Sequence, residues 1–70
     1  MRVRLKIKEI AEAKGFNQSS LSRAANVDFK TVKRAFRDPY RDIAVSTLVK
    51  LAQALKVDIS ELVEILPEEE

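Results

Sequence analysis

Residues 2 to 8, Arg-Val-Arg-Leu-Lys-Ile-Lys, alternate polar and apolar side chains with a period of two, the pattern of a half-buried strand. Ile7, Ile10, Ala11 and Lys14 are spaced for a helix face as well. The two patterns together predict a short strand at about residues 2 to 5 that runs into a helix over about 6 to 14. Gly15 can supply the left-handed residue that closes this helix. Asn17 then stands as an N-cap, able to accept from the amide of Ser19 or Ser20. Leu21, Ala24 and Ala25 recur at i, i+3, i+4 and carry a second helix to about Ala25. Asn26 follows, a residue that tolerates positive φ and suits a tight turn.

Asp28 is the next cap, and a third helix is predicted over Phe29 to Arg37. Asp38-Pro39 ends it, because a residue before proline disfavours the helical region. After a loop from Tyr40 to Ala44, the positions Leu48, Leu51, Ala52 and Leu55 mark an amphipathic helix from about Ser46 to Leu55. Asp58-Ile59-Ser60-Glu61 reads as a capping box that opens a last short helix. Leu62 to Leu66 is apolar enough for a strand before Pro67, and the two terminal strands can pair, since neither survives alone. The expected fold is mainly α: five short helices with a small two-stranded sheet from the two termini. A single domain over residues 1 to 66 is expected, followed by an acidic tail, residues 67 to 70, that is expected to be disordered.

Composition narrows what such a fold can do. The 70 residues include no His, no Cys, no Trp and one Gly. These absences exclude a thiolate nucleophile, a zinc–sulfur site, the usual proton shuttle and a Gly-rich phosphate loop. No cofactor or metal is expected. Scattered carboxylates and lysines on a chain this small offer little pocket, so an enzyme is the weakest of the functional classes. No apolar run approaches the roughly 18 residues of a membrane span. The alternating N-terminus lacks the apolar region of a signal peptide, which points to a cytoplasmic address.

The net charge of +2 conceals a polarity. Residues 1 to 41 carry 11 Lys/Arg and 4 Asp/Glu, a balance of +7, whereas residues 42 to 70 carry 2 and 7, a balance of −5. The basic part suggests an anionic partner, nucleic acid first and an acidic membrane surface second. The third helix concentrates this charge. Lys30, Lys33, Arg34 and Arg37 fall at i, i+3, i+4, i+7, one continuous stripe, with Val32, Ala35 and Phe36 on the other side. Like charges at this spacing disfavour an isolated helix by a few tenths of a kcal/mol per pair. A polyanion explains such a stripe; so does a solvated basic face held by salt bridges to the acidic half. The short turn Asn26-Val27-Asp28 between two short helices favours the first, because it makes a helix-turn-helix whose second helix enters the major groove.

The stretch Lys14-Gly15-Phe16-Asn17-Gln18-Ser19-Ser20-Leu21-Ser22-Arg23-Ala24-Ala25-Asn26-Val27-Asp28-Phe29-Lys30-Thr31-Val32 resembles the Cro and phage-repressor type of helix-turn-helix, the XRE family. The resemblance continues through Ile43 to Leu48, Leu51 to Leu55 and Glu61-Leu62, nearly the whole chain. Val3 to Leu5 and Val63 to Leu66 look like the paired terminal strands of a compact subgroup. The resemblance implies DNA contacts. Gln18 matches the position that opens the second helix on a phosphate, with Ser19 beside it. Phe29, Lys30, Lys33 and Arg34 match base-facing positions, and Arg37 and Arg41 match positions on the DNA backbone. Lys30 and Arg37 can equally be plain phosphate contacts. Phe29 can touch a thymine methyl or pack on Val32 and Phe36, and packing is the favoured expectation.

Three departures from the family pattern bear on these assignments. Asn26 replaces the usual turn glycine. Ser22 replaces a small alanine at the helix crossing, where its hydroxyl needs a partner. Ala35 and Phe36 stand where the family has a large apolar and a polar residue, a shift of the core anchor that would rotate the helix slightly. The leading expectation is a sequence-specific transcription regulator that binds double-stranded DNA as a homodimer, without catalysis. Its dimer surface would be a strand edge at the termini or the face near Leu62 to Leu66. The alternative is an antitoxin-like protein-interaction module on the same fold, its partner surface near Asp58, Glu61 and Glu64 of the acidic half.

Overall fold

The computed structural model describes residues 2–67. Its order is β1 (Arg2–Leu5), α1 (Ile7–Ala13), α2 (Gln18–Ala25), α3 (Phe29–Arg37), α4 (Val45–Leu55), a 3-10 turn (Ile59–Leu62) and β2 (Val63–Leu66). The expected pairing of the termini is present. The strands run antiparallel in the register Arg2↔Leu66, Val3↔Ile65, Arg4↔Glu64 and Leu5↔Val63. A two-residue period puts Val3, Leu5, Val63 and Ile65 on one face. Leu5 is buried there, whereas Val3 and Ile65 stay exposed.

A two-stranded ribbon is marginal by itself, and ties to the helices hold this one. The Leu5 amide donates to the Pro39 carbonyl at 2.6 Å, and the Lys6 amide to the Leu62 carbonyl at 2.8 Å. On the opposite face Arg4 pairs with Glu64 across the strands at 3.3 Å and with Glu9 on α1. The Arg2 guanidinium lies 4.1 Å from the ring centroid of Tyr40, a cation–π contact with the loop after α3.

Every element except β2 contributes to the core. It consists of Leu5, Ile7, Ala11, Leu21, Ala25, Val32, Ala35, Leu48, Leu51, Ala52, Leu55 and Leu62. No polar or charged residue is buried among the described residues. The boundaries follow from local chemistry. The Asn17 side chain accepts from the Ser20 amide at 2.8 Å, and Ser20 Oγ accepts from the Asn17 amide at 3.0 Å, a reciprocal cap on α2. Asp28 accepts from the Lys30 amide at 3.0 Å and starts α3. Gly15 takes φ +84° at the end of α1.

Two details depart from the sequence reading. Among the described residues there are four α-helices, and the expected fifth is a 3-10 turn of four residues. Its cap is present: the Asp58 amide donates to Glu61 Oε2 at 3.4 Å, and Asp58 Oδ1 accepts from the Ser60 amide at 3.3 Å. Leu62 must enter the core and Val63 must already be extended, so only the tighter i→i+3 turn fits the remaining length. Helix α4 starts at Val45 and closes on Lys56 at φ 59°, a left-handed cap position usually taken by glycine or asparagine. No helix among the described residues is long and apolar enough to cross a membrane. Glu68 to Glu70, most of the expected acidic tail, lie outside the described residues.

Candidate nucleic-acid interface

Leu21 and Ala25 of α2 and Val32 and Ala35 of α3 are buried together in the core, which fixes the two helices as one unit. The turn between them is built as its residues require. Asn26 adopts φ 55°, ψ 46°, the left-handed region open to asparagine. The Val27 amide donates to the Ser22 carbonyl at 3.1 Å. The Ser22 hydroxyl donates to the Val27 carbonyl at 2.6 Å. The hydroxyl that replaces a small alanine therefore has its partner, and it ties the turn to α2. The departure at Ala35 and Phe36 also has a local answer. Ala35 keeps the inward position, and Phe36 is half-buried and packs on the core beside it.

With Val32 and Ala35 inward, the helical period turns Lys30, Lys33, Arg34 and Arg37 outward. All four are exposed. None of them pairs with an acid among the described residues, so the alternative of a stripe held by salt bridges to the acidic half lacks its bridges. Three acids of that half are occupied elsewhere, while Asp42 borders a groove with Arg34 and Arg41 without an ion pair among the described residues. Glu64 binds Arg4, and Asp58 and Glu61 cap the 3-10 turn.

The remaining expected site residues surround this stripe. Gln18, Ser19, Phe29 and Arg37 line one open cleft between α1, α2 and α3, together with Lys8, Phe16 and Phe36. Arg34, Arg37 and Arg41 line a second groove with Asp38. Arg34 and Arg41 also border a third, with Thr31 and Thr47, where α4 begins. Lys30 and Lys33 stand on the open face and line none of these three depressions. Gln18 is half-buried at the first turn of α2, and the Ser19 hydroxyl accepts from Arg23 at 2.8 Å.

Phe29, for which packing on Val32 and Phe36 is the favoured expectation, is 45% exposed and borders the cleft together with Phe36, whereas Phe16 and Phe36 are half-buried against the core. At the first position of α3 it stands at the border of the outward stripe, where the helical period sets it between Lys33 and Phe36. Lys8 is a cation of this surface that sequence reasoning missed. It falls within the period-two stretch, and only the packing of α1 against α3 brings it to the cleft. Among the described residues no group of three His, Cys, Asp or Glu side chains is placed to hold a metal.

The arrangement is a convex, cationic helix flanked by a helix N-terminus and by further arginines, a shape that fits a groove and its phosphates. Comparison with known proteins agrees. The family of Cro/C1-type HTH DNA-binding domains matches residues 6–68. Among solved structures the chain is similar to the restriction-modification controller protein C.AhdI from Aeromonas hydrophila, with a TM-score of 0.72 and 28% identity, over 80% of this chain and 83% of that one. No curated protein matches the chain.

Proposed function

The chain belongs to the Cro/C1-type helix-turn-helix DNA-binding domain family, and from that premise we propose that it is a sequence-specific transcription regulator with no catalytic step, acting on double-stranded DNA in the cytoplasm. Helix α3 enters the major groove. Lys30, Lys33 and Arg34 face base edges, where lysine and arginine reach guanine O6 and N7. Gln18 and Ser19 hold a phosphate at the N-terminus of α2, and Arg37 and Arg41 hold phosphates after α3. The observation that supports this reading best is the exposed stripe of four cations on α3, none paired with an acid among the described residues. The similarity to a restriction-modification controller favours control of transcription, by occluding or recruiting polymerase at a promoter.

The working form is a two-fold dimer that reads two half-sites about 34–36 Å apart. Its interface is the free edge of β2. Strand β1 is bonded to β2 and to Pro39, whereas β2 has no second strand among the described residues. The exposed cross-strand pair Val3 and Ile65 lies on the same ribbon.

Selection from a random duplex pool at physiological ionic strength tests the reading. A short palindromic motif is the expected result, with its spacing reporting the dimer. Weak uniform binding in the 10⁻⁴–10⁻⁶ M range of nonspecific association would refute it.

A further inference from the structure

Three phenylalanines lie around the α1–α2–α3 cleft, and they are not equivalent. Phe16 and Phe36 pack on the core. Phe29 is outside the core residues and is 45% exposed at the first position of α3. Its neighbours in the cleft include Gln18 and Arg37, and Lys30 and Lys33 follow it on the helix. A large apolar ring left 45% exposed beside a stripe of four cations gains only part of its possible burial in the free protein and lowers solubility. The first turn of a recognition helix is the part that meets base edges. The apolar feature that the major groove offers there is the methyl group on C5 of thymine. Cytosine methylated at C5 presents the same group at the same place.

We propose that Phe29 is a specificity-determining residue that seats the C5-methyl group of a pyrimidine in the half-site, beside the bases read by Lys30, Lys33 and Arg34. The proposal rests on α3 as the recognition helix. Phe29 is half covered within the cleft, so its ring is restrained before DNA arrives and its exposed side is available to the methyl group. Removing one buried methyl from such a contact lowers affinity by about fourfold.

The test uses the motif recovered from the random pool. Each thymine is replaced in turn by deoxyuridine, which deletes only the methyl group, and affinity is measured by fluorescence anisotropy. In parallel, each cytosine is replaced by 5-methylcytosine. The wild-type chain is expected to lose about fourfold on one deoxyuridine substitution per half-site; a gain of the same size on one 5-methylcytosine substitution would instead identify a methylated cytosine as the source. Phe29→Ala and Phe29→Gln are expected to bind the methylated and unmethylated bases equally. Both variants should keep the wild-type thermal midpoint, since Phe29 is outside the core. A wild-type chain indifferent to every methyl group overturns the proposal and leaves DNA recognition standing. So does a methyl preference that both variants retain. Failure to recover any motif overturns the recognition-helix reading itself, and this proposal with it.

Discussion

The terminal sheet and helix α3 both carry basic residues, and they use them in opposite ways. In the sheet, Arg4 binds two carboxylates, Glu9 and Glu64, and Arg2 lies over the Tyr40 ring. On α3, Lys30, Lys33, Arg34 and Arg37 are exposed and meet no acid among the described residues. Sheet cations are satisfied within the fold and join elements distant in sequence, such as Arg4 and Glu64, 60 positions apart. The α3 cations repel one another, and a polyanion relieves that repulsion. A count of basic residues treats the two sets alike, but their partners tell them apart.

Changes to the sheet region should therefore move stability, and changes to the outer face of α3 should move DNA affinity. The largest effect is expected from Leu62→Ala. Leu62 is fully buried where the 3-10 turn feeds β2, and its truncation should lower stability by about 2–5 kcal/mol. In a domain whose whole stability is of order 5–15 kcal/mol, urea or thermal unfolding will resolve this. A smaller effect of the opposite kind is expected from Arg34→Ala: a loss of about 1–3 kcal/mol on the preferred site with relaxed base preference, at an unchanged thermal midpoint. Arg41→Ala should weaken binding to all sequences alike and reduce the slope of log affinity against log salt by about 0.9. If Arg34→Ala lowered the midpoint instead of the affinity, the division between the two regions would be wrong.

The elements legible in the sequence are those whose signals are local. Caps at Asn17, Asp28 and Asp58, the left-handed Asn26 and the periods of two and 3.6 are written within a few residues of where they act. The inward face of α3, Val32 and Ala35, follows from the same period, and so does its outward stripe. What the sequence left hidden depends on the third dimension. Lys56 closes α4 in a left-handed conformation, yet lysine carries no signature of that role; Val57 donates to the Ala52 carbonyl and completes the cap. The last helix is 3-10 because of where Leu62 and Val63 must go, which periodicity does not record. For Phe29 the period alone leaves two readings, packing on Val32 and Phe36 or an outward contact, and its 45% exposure beside Phe36 is visible only in the fold. Lys8 reaches the cleft only through the packing of α1 on α3.

The smallest expected effect separates the two regions by solvent conditions. Burial pushes the Glu9 carboxyl up, but its own backbone amide, Arg4 and then Lys8 outweigh burial and hold it below the ordinary glutamate range. A carboxyl lowered on folding adds stability above its unfolded value of about 4.3, and that stability is lost as pH falls through the folded value. Glu9 is half exposed, and an ion pair so exposed to solvent contributes only about 0.2–1 kcal/mol. Urea unfolding of the wild type and Glu9→Gln should therefore differ by this small amount at pH 7. The gap should close as the medium is made acidic enough to protonate Glu9 in both states. DNA affinity at pH 7 should be the same for both proteins, because Glu9 pairs with Arg4 and with none of the α3 cations among the described residues. The α3 cations have no carboxylate partner to protonate, so their contribution should respond to salt through the phosphates they release counterions from. Arg4 should respond to acid through Glu9. A Glu9→Gln protein that bound DNA differently at neutral pH would show that the Arg4 network reaches the recognition surface, and the two uses of basic charge would then be coupled.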